Sequence, residues 1–327
     1  MAKRIEFNQY GDASVLAYAD FTPRQPADNE VLIANKAIGI NYIDTYVRSG
    51  LYPAAQLPSS LGTEAAGLVE AVGAKVKHLK VGDRVAYCQS PLGAYSQYHV
   101  VSAERVIVLP DNVSFEQAAA VMLKGLTAYY LLNLTYQVKR DEIILFHAAA
   151  GGVGQIACQW AKAIGAKLIG TVGSDEKIAI AKQAGAWEVI NHNKTDIVQK
   201  VLELTNHQKV NVVYDSIGKD MWLTSLDCLK RRGLMVSFGN ASGPVTGVDL
   251  GILNKKGSLF VTRPSLAGYV TTLEELQEAG NKLFSMVASG AIKVEVNPNQ
   301  IFALKDAQQA HKTIESRKTT GSSLLIP

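Results

Sequence analysis

Cysteine is scarce in this chain. Three residues, Cys88, Cys158 and Cys228, stand 70 positions apart in a sequence of 327. An odd number with no Cys-x-x-Cys pair excludes a disulfide framework and a cysteine-rich zinc site, and it fits a reducing compartment. Long hydrophobic runs are also missing. No uninterrupted apolar stretch reaches the length of a membrane-spanning helix, and the opening residues Met1-Ala2-Lys3-Arg4-Ile5-Glu6 meet charge before any run of signal-peptide length. The expectation is a soluble cytoplasmic protein with no membrane partner. Charge of one sign is lacking too: 33 Lys and Arg stand against 29 Asp and Glu, a net charge of +4, with only short clusters such as Lys230-Arg231-Arg232 and Lys255-Lys256. A nucleic-acid binder ordinarily carries a basic stripe or a longer basic run, so this pattern argues against that partner.

What is present is the composition of a folded globular chain: 47% hydrophobic and 19% charged residues, with 10 Pro and 27 Gly. The length suggests about two domains. Up to about residue 120, short runs such as Val31-Leu32-Ile33-Ala34, 66–72 and Val106-Ile107-Val108-Leu109 are separated by Gly, Pro and Asp, the pattern of strands and turns. A helical pattern begins at Ser114, and from there strand-like runs (142–147, 167–172, 188–190, 210–214, 234–238 and 258–262) alternate with amphipathic stretches such as 153–164 and 175–184. Six strands alternating with helices make an α/β doubly wound parallel sheet with helices on both faces. After Pro264 the reading is a helix over 272–289, a strand over 292–296, a helix over 305–316 and a final strand over 323–326. These continue no strand–helix–strand series, so the tail is expected to return to the first domain.

The most informative segment is Ile144-Leu145-Phe146-His147-Ala148-Ala149-Ala150-Gly151-Gly152-Val153-Gly154. A strand, a glycine turn and a helix in succession give a glycine pattern its meaning as a dinucleotide site. Ala149, Gly151 and Gly154 occupy the three positions of G-x-G-x-x-G. Gly151 lets the backbone approach a pyrophosphate, whose charge the helix N–H groups meet, and Gly154 lets the helix lie close to its strand.

An NAD site places a carboxylate at the end of the second strand to hold the ribose 2′-hydroxyl. Here that strand ends Thr171-Val172-Gly173-Ser174, with Lys177 one helical turn further on, so the expected cofactor is NADPH. Asp175 and Glu176 are carboxylates in the same loop. They are read as first-turn acids stabilised by the helix dipole, with Ser174 as the N-cap. His147 reads as a satisfied buried histidine. His99 and His311 have no ligand-spaced partner and no metal site is proposed.

At this point the chain resembles the medium-chain dehydrogenase/reductase superfamily, and within it the zinc-free quinone oxidoreductase (zeta-crystallin-like) branch. The segments that carry the resemblance include Gly39-Ile40-Asn41-Tyr42-Ile43-Asp44-Thr45-Tyr46, Leu61-Gly62-Thr63-Glu64-Ala65-Ala66-Gly67, Lys80-Val81-Gly82-Asp83-Arg84-Val85 and Leu123-Lys124-Gly125-Leu126-Thr127-Ala128-Tyr129-Tyr130, with Asp306-Ala307-Gln308-Gln309-Ala310-His311 near the end. The resemblance implies a Rossmann sheet, residues 125–264, inserted in a mostly β, GroES-like catalytic domain, residues 1–124 and 265–327. Zinc alcohol dehydrogenases of the superfamily carry Cys where this chain has Asn41 and His where it has Thr63, and Asn and Thr are poor ligands for tetrahedral zinc. Without that Lewis acid, hydride transfer to an already electrophilic conjugated carbonyl is the expected chemistry, with quinones first and enones or alkenals second.

The resemblance also implies residues. The nicotinamide and the substrate are expected near Asn41, Asp44, Tyr46, Tyr52, Lys124 and Thr127, in the cleft between the domains. Asn41 would bond either the nicotinamide side or an acceptor oxygen. Tyr46 and Tyr52 would offer phenolic donors and flat bodies to a quinone, or simply cover a domain edge. Lys124 would neutralise phosphate or an oxyanion, or else stand as a surface lysine at the domain junction. The cofactor positions are Asn41, Asp44, Thr127, Tyr130, Gly152, Val153, Gly173, Ser174, Lys177, His192, Ser216, Phe238, Gly239, Asn240 and Arg317; at His192 close relatives often carry Tyr. A homodimer joined through the sheet edge at 258–262 is implied as well. Protons would come from water or a Tyr hydroxyl. Two rival readings stay open: an NADPH-dependent enone or alkenal reductase, and a non-catalytic NADPH- or RNA-binding protein of the crystallin type.

Overall fold

In a computed structural model, which describes every residue except Ser90 and Arg317, the chain divides into two units. One is Met1–Leu126 together with Val270–Pro327, the other Thr127–Tyr269, and the division at Leu126 falls within the helix Phe115–Tyr129.

The second unit is built on a parallel sheet. Among the described residues its order is Glu188–Asn191, Lys167–Val172, Ile143–Phe146, Val210–Asp215, Leu229–Ser237 and Phe260–Thr262, a sequence order of 3-2-1-4-5-6 with every neighbouring pair parallel. The middles of the strands are apolar, as in Ile144-Leu145-Phe146, Leu168-Ile169, Val212-Val213-Tyr214 and Leu234-Met235-Val236, because helices cover both faces of such a sheet. Leu145, Ile169, Val213, Met235 and Val201 are fully buried in its core. All six expected strands are present, and the order is that of a doubly wound dinucleotide-binding fold, whose ligands lie at the C-terminal ends of the strands. The last strand is an open edge, with Phe260 and Val261 exposed.

The first unit centres on the strand Glu30–Ile40, which pairs antiparallel with Ala65–Val72, Tyr98–Ser102 and Ser323–Ile326. The return of the C-terminal tail is therefore physical: Ser323–Ile326 pairs with Glu30–Ile40 on one side and, in parallel, with Ile301–Ala303 on the other. Ile5, Phe7, Ile33, Ile38, Leu61, Tyr87, Tyr95 and Leu325 fill the core. The expected helix over 272–289 is Leu273–Ala288, capped by Thr272 through Glu275. One expectation fails: residues 292–296 form no strand. Ile292 is buried, but the backbone has no ladder partner, and the strand forms after Pro298–Gln300, at Ile301–Ala303, where Ser323–Ile326 offers an edge. Alternating polarity alone could not locate that partner. No described helix is long and apolar enough to cross a membrane.

Candidate active site

In the first unit the site grows from the end of the strand Glu30–Ile40. Asn41 leaves the strand in an extended conformation and caps the helix Tyr42–Ser49; its N–H donates to Asp44 Oδ2 at 2.8 Å. The Asn41 side-chain Nδ2 donates to Glu64 Oε2 at 2.6 Å. Glu64 is fully buried, and its other oxygen accepts the Leu123 N–H at 2.5 Å. Lys124 is buried as well, not a surface lysine. Its ammonium donates to Ile40 O at 3.1 Å and lies 3.8 Å from Glu64 Oε2. Burial raises the Glu64 pKa, and the Lys124 charge and the Asn41 and Leu123 hydrogen bonds oppose that rise. A carboxylate taken out of water in this way is tolerable only with such partners.

Asn41 and Thr63 stand where zinc relatives carry Cys and His, and this donor set does not suit a metal. The amide nitrogen of Asn41 is a donor, and an ammonium already sits against Glu64. Among the described residues no cluster of three His, Cys, Asp or Glu side chains could hold an ion.

Asp44 begins a second buried series. Its Oδ2 accepts Tyr95 OH at 2.9 Å, while Oδ1 has no hydrogen-bond partner. Burial lifts the Asp44 pKa to about 7. The Tyr95 oxygen meets His311 Nε2 at 3.1 Å, and His311 Nδ1 meets Arg48 at 3.0 Å. Since Tyr95 donates to Asp44 and Arg48 can only donate, His311 is the Nε2–H tautomer. Arg48 closes the series on Glu315 with two bonds of 2.6 and 3.0 Å. Beside this, Tyr46 packs edge-on against Tyr52, with ring centres 5.5 Å apart, and Tyr52 is exposed.

In the second unit, Ala148 takes a left-handed conformation at φ 55° and turns the chain out of the strand Ile143–Phe146. Gly151 caps the helix Gly152–Ile164, whose first intrahelical bond runs from Gln155 N to Gly151 O. The N–H groups of Gly152, Val153 and Gly154 thus open the helix. A Cβ on Gly154 would collide with Ala148 O, so glycine is required there by the close approach of helix and turn. Ala149 stands where the motif ordinarily has glycine, and its methyl is accommodated because the facing residue on the next strand is Gly170: a Cβ there would lie 2.5 Å from Ala149 Cβ.

The remaining predicted cofactor positions of this unit cluster at the C-terminal ends of the strands. Ser216 follows Val210–Asp215 and Phe238 follows Leu229–Ser237; the two turns are tied by Phe238 N to Asp215 O at 2.8 Å and Ala241 N to Ser216 O at 3.1 Å. A Cβ on Gly239 would strike Ser216 O. Tyr130 is buried in a π-helical turn and stacks on Tyr269 at 4.8 Å, and burial raises its pKa. Thr127 is half-buried one turn before it. Gly173, Ser174 and His192 directly follow the second and third strands, where Asn193 Nδ2 donates to Gly173 O at 2.7 Å, and Lys177 lies in the first turn of the helix Glu176–Gln183. Asp175, not Ser174, occupies the N-cap position, and it makes no side-chain cap. Its carboxylate is drawn instead to Asn191 and Lys194. Arg317 lies outside the described residues.

Sequence reasoning singled out neither Glu64 nor the Tyr95, His311 and Arg48 series. The signal for Glu64 was available: an acidic residue entering the apolar run Ala65-Ala66-Gly67 needs a partner if the run is buried. The His311 series had no such signal, because His311 is 216 positions from Tyr95 and 263 from Arg48. His147, fully buried, bonds Thr171 Oγ1 at 2.8 Å and Ser225 Oγ at 2.9 Å, and Ser225 donates to Asp215. It is thus a satisfied core histidine that ties strand ends together.

Comparison with known proteins places this geometry. Residues 152–285 match the zinc-binding dehydrogenase family and residues 27–111 the alcohol dehydrogenase GroES-like domain. The chain is 66% identical to a quinone oxidoreductase of Salmonella typhimurium and 65% identical to quinone oxidoreductase 1 of Escherichia coli, in each case over 327 residues and all of both chains. The crystal structure of the Escherichia coli quinone oxidoreductase complexed with NADPH superposes with a TM-score of 0.99 at 65% identity, covering all of both chains.

Proposed function

Because the chain belongs to the quinone oxidoreductase branch of the medium-chain dehydrogenase/reductase superfamily, we infer that the groups described above serve hydride transfer from NADPH to a quinone. The protein is an NADPH-dependent quinone reductase. The observation that carries this reading is the glycine turn at the C-terminal edge of a 3-2-1-4-5-6 sheet, where Gly154 leaves no room for a side chain. That cradle fits a pyrophosphate on the N–H groups of Gly152, Val153 and Gly154.

When bound, NADPH supplies the hydride, and the protein's task is alignment and electrostatics. The parallel-sheet part, residues 125–264, holds the cofactor, and the remainder is the catalytic part. Gly173, Ser174, Lys177, His192 and Arg317 receive the adenosine side; Ser216, Phe238, Gly239, Asn240, Thr127 and Tyr130 line the path toward the nicotinamide. With one amide hydrogen committed to Glu64, Asn41 keeps the other, a donor for the nicotinamide carboxamide oxygen or for an acceptor oxygen. Lys124 holds Glu64, and through it Asn41. Tyr46 and Tyr52 offer the quinone an apolar face and phenolic donors. The enzyme is further read as a cytoplasmic homodimer joined at the exposed edge strand Phe260–Thr262.

An acceptor panel with NADPH and NADH tests the reading. Efficient quinone turnover with NADPH is expected; negligible quinone turnover beside efficient enone reduction would overturn it.

A further inference from the structure

The segment after the second strand presents a contradiction. A site that prefers a 2′-phosphate should carry no free carboxylate near the ribose, yet Asp175 and Glu176 follow Gly173-Ser174 directly. The structure shows how Asp175 is occupied. Its Oδ1 accepts Asn191 Nδ2 at 2.6 Å, and its Oδ2 is paired with the ammonium of Lys194. Asn191 ends the third strand and Lys194 stands in the turn after it, and they leave Asp175 without the N-capping role its position would otherwise give it. The same two turns are stitched by Asn193 Nδ2 to Gly173 O at 2.7 Å and by His192 N to Val172 O at 3.0 Å. Within the two segments 173–177 and 191–194, two cations, Lys177 and Lys194, offset two carboxylates, Asp175 and Glu176. His192 adds no charge, because burial lowers its pKa.

We infer that Lys194 is a specificity-determining residue for the cofactor: by neutralising Asp175 it keeps the segment open to a 2′-phosphate dianion, while Asn191 holds the other carboxylate oxygen. The inference rests on the reading of 173–177 and His192 as the phosphate site. Without Lys194 these two segments carry a net negative charge beside the phosphate, whereas the uncharged 2′-hydroxyl of NADH is indifferent to it or gains an acceptor in the released Asp175. Both residues are exposed, so the expected effect is modest: about a fivefold loss of selectivity for NADPH over NADH.

The experiment is a nicotinamide-fluorescence titration of NADPH and NADH against the full-length enzyme and the variants Lys194→Ala, Lys194→Arg, Lys177→Ala and Asp175→Asn/Lys194→Ala. Lys194→Ala should weaken NADPH and spare NADH, Lys194→Arg should keep the selectivity, and adding Asp175→Asn should restore it. A structural role would move both Kd values together, and direct phosphate contact would leave the double variant as poor as Lys194→Ala; either result overturns the inference. If Lys194→Ala keeps full selectivity while Lys177→Ala loses it, the role of Lys194 alone falls. Should Lys177→Ala also keep it, the phosphate-site reading falls with it.

Discussion

Replacing Lys124 with methionine removes the ammonium that faces Glu64 and preserves most of the side-chain volume. The two charges are 3.8 Å apart, and Glu64 has no solvent exposure. At an effective dielectric near 20, that separation corresponds to about 4 kcal/mol of attraction, and breaking a buried pair by removing one partner costs about 3 to 5 kcal/mol. Glu64 can escape by taking a proton. Holding a carboxyl protonated at pH 7 in the folded state, when it ionises near pH 4.3 in the unfolded chain, costs about 3.7 kcal/mol, and this limits the loss. The sign follows directly. A folded pKa raised above the unfolded value means that the folded state keeps a proton the unfolded chain releases, so stability falls as pH rises through the window between them. The deficit of Lys124→Met should therefore shrink by about 1.4 kcal/mol for each pH unit below 7 and be small near pH 5. Denaturant midpoints of the wild type, Lys124→Met and Glu64→Gln/Lys124→Met, taken from pH 5 to 8, make the measurement. The double variant should recover most of the loss at pH 7. A single variant within about 1 kcal/mol of wild type at pH 7, a deficit independent of pH, or no rescue by Glu64→Gln would refute the account of a buried, paired Glu64.

Three further outcomes are expected. Asp44 ionises near pH 7 in the folded protein against 3.8 as its ordinary value, so its contribution is lost as pH rises from about 4 to 7; Asp44→Asn should flatten the dependence of the denaturant midpoint on pH across that window, and an unchanged slope would count against the burial argument. Gly170→Ala should destabilise by about 1 to 3 kcal/mol through its clash with the Ala149 methyl, and Ala149→Gly in the same chain should recover it, as thermal melts of the singles and the double would show. On the proposal that two copies join through the exposed edge strand, Val261→Arg should shift sedimentation from dimer to monomer while NADPH binding persists; an unchanged sedimentation coefficient would refute that interface.

The parallel sheet was legible because its strands are buried on both faces and so appear as short apolar runs between amphipathic helices. The glycine turn was legible because Gly151 and Gly154 answer to local sterics. Residues 292–296 misled because alternation marks one buried face but cannot supply a ladder partner. At the candidate site, Asn41, Tyr46 and Lys124 could be named from the chain, yet not what each one touches. For Lys124 a surface role stays open in the sequence beside the catalytic one, and the fold closes it by bringing Glu64, 60 positions away, to 3.8 Å from it.

What the sequence by itself determined was the class of fold and the dinucleotide turn, since each depends on residue type at short spacing. Only the tertiary structure decided how the buried charges are balanced. Glu64 with Lys124 and Asp44 with Tyr95 join residues remote along the chain. The cost of removing a charge from water is set by whatever the fold brings beside it, and no local pattern records that neighbour.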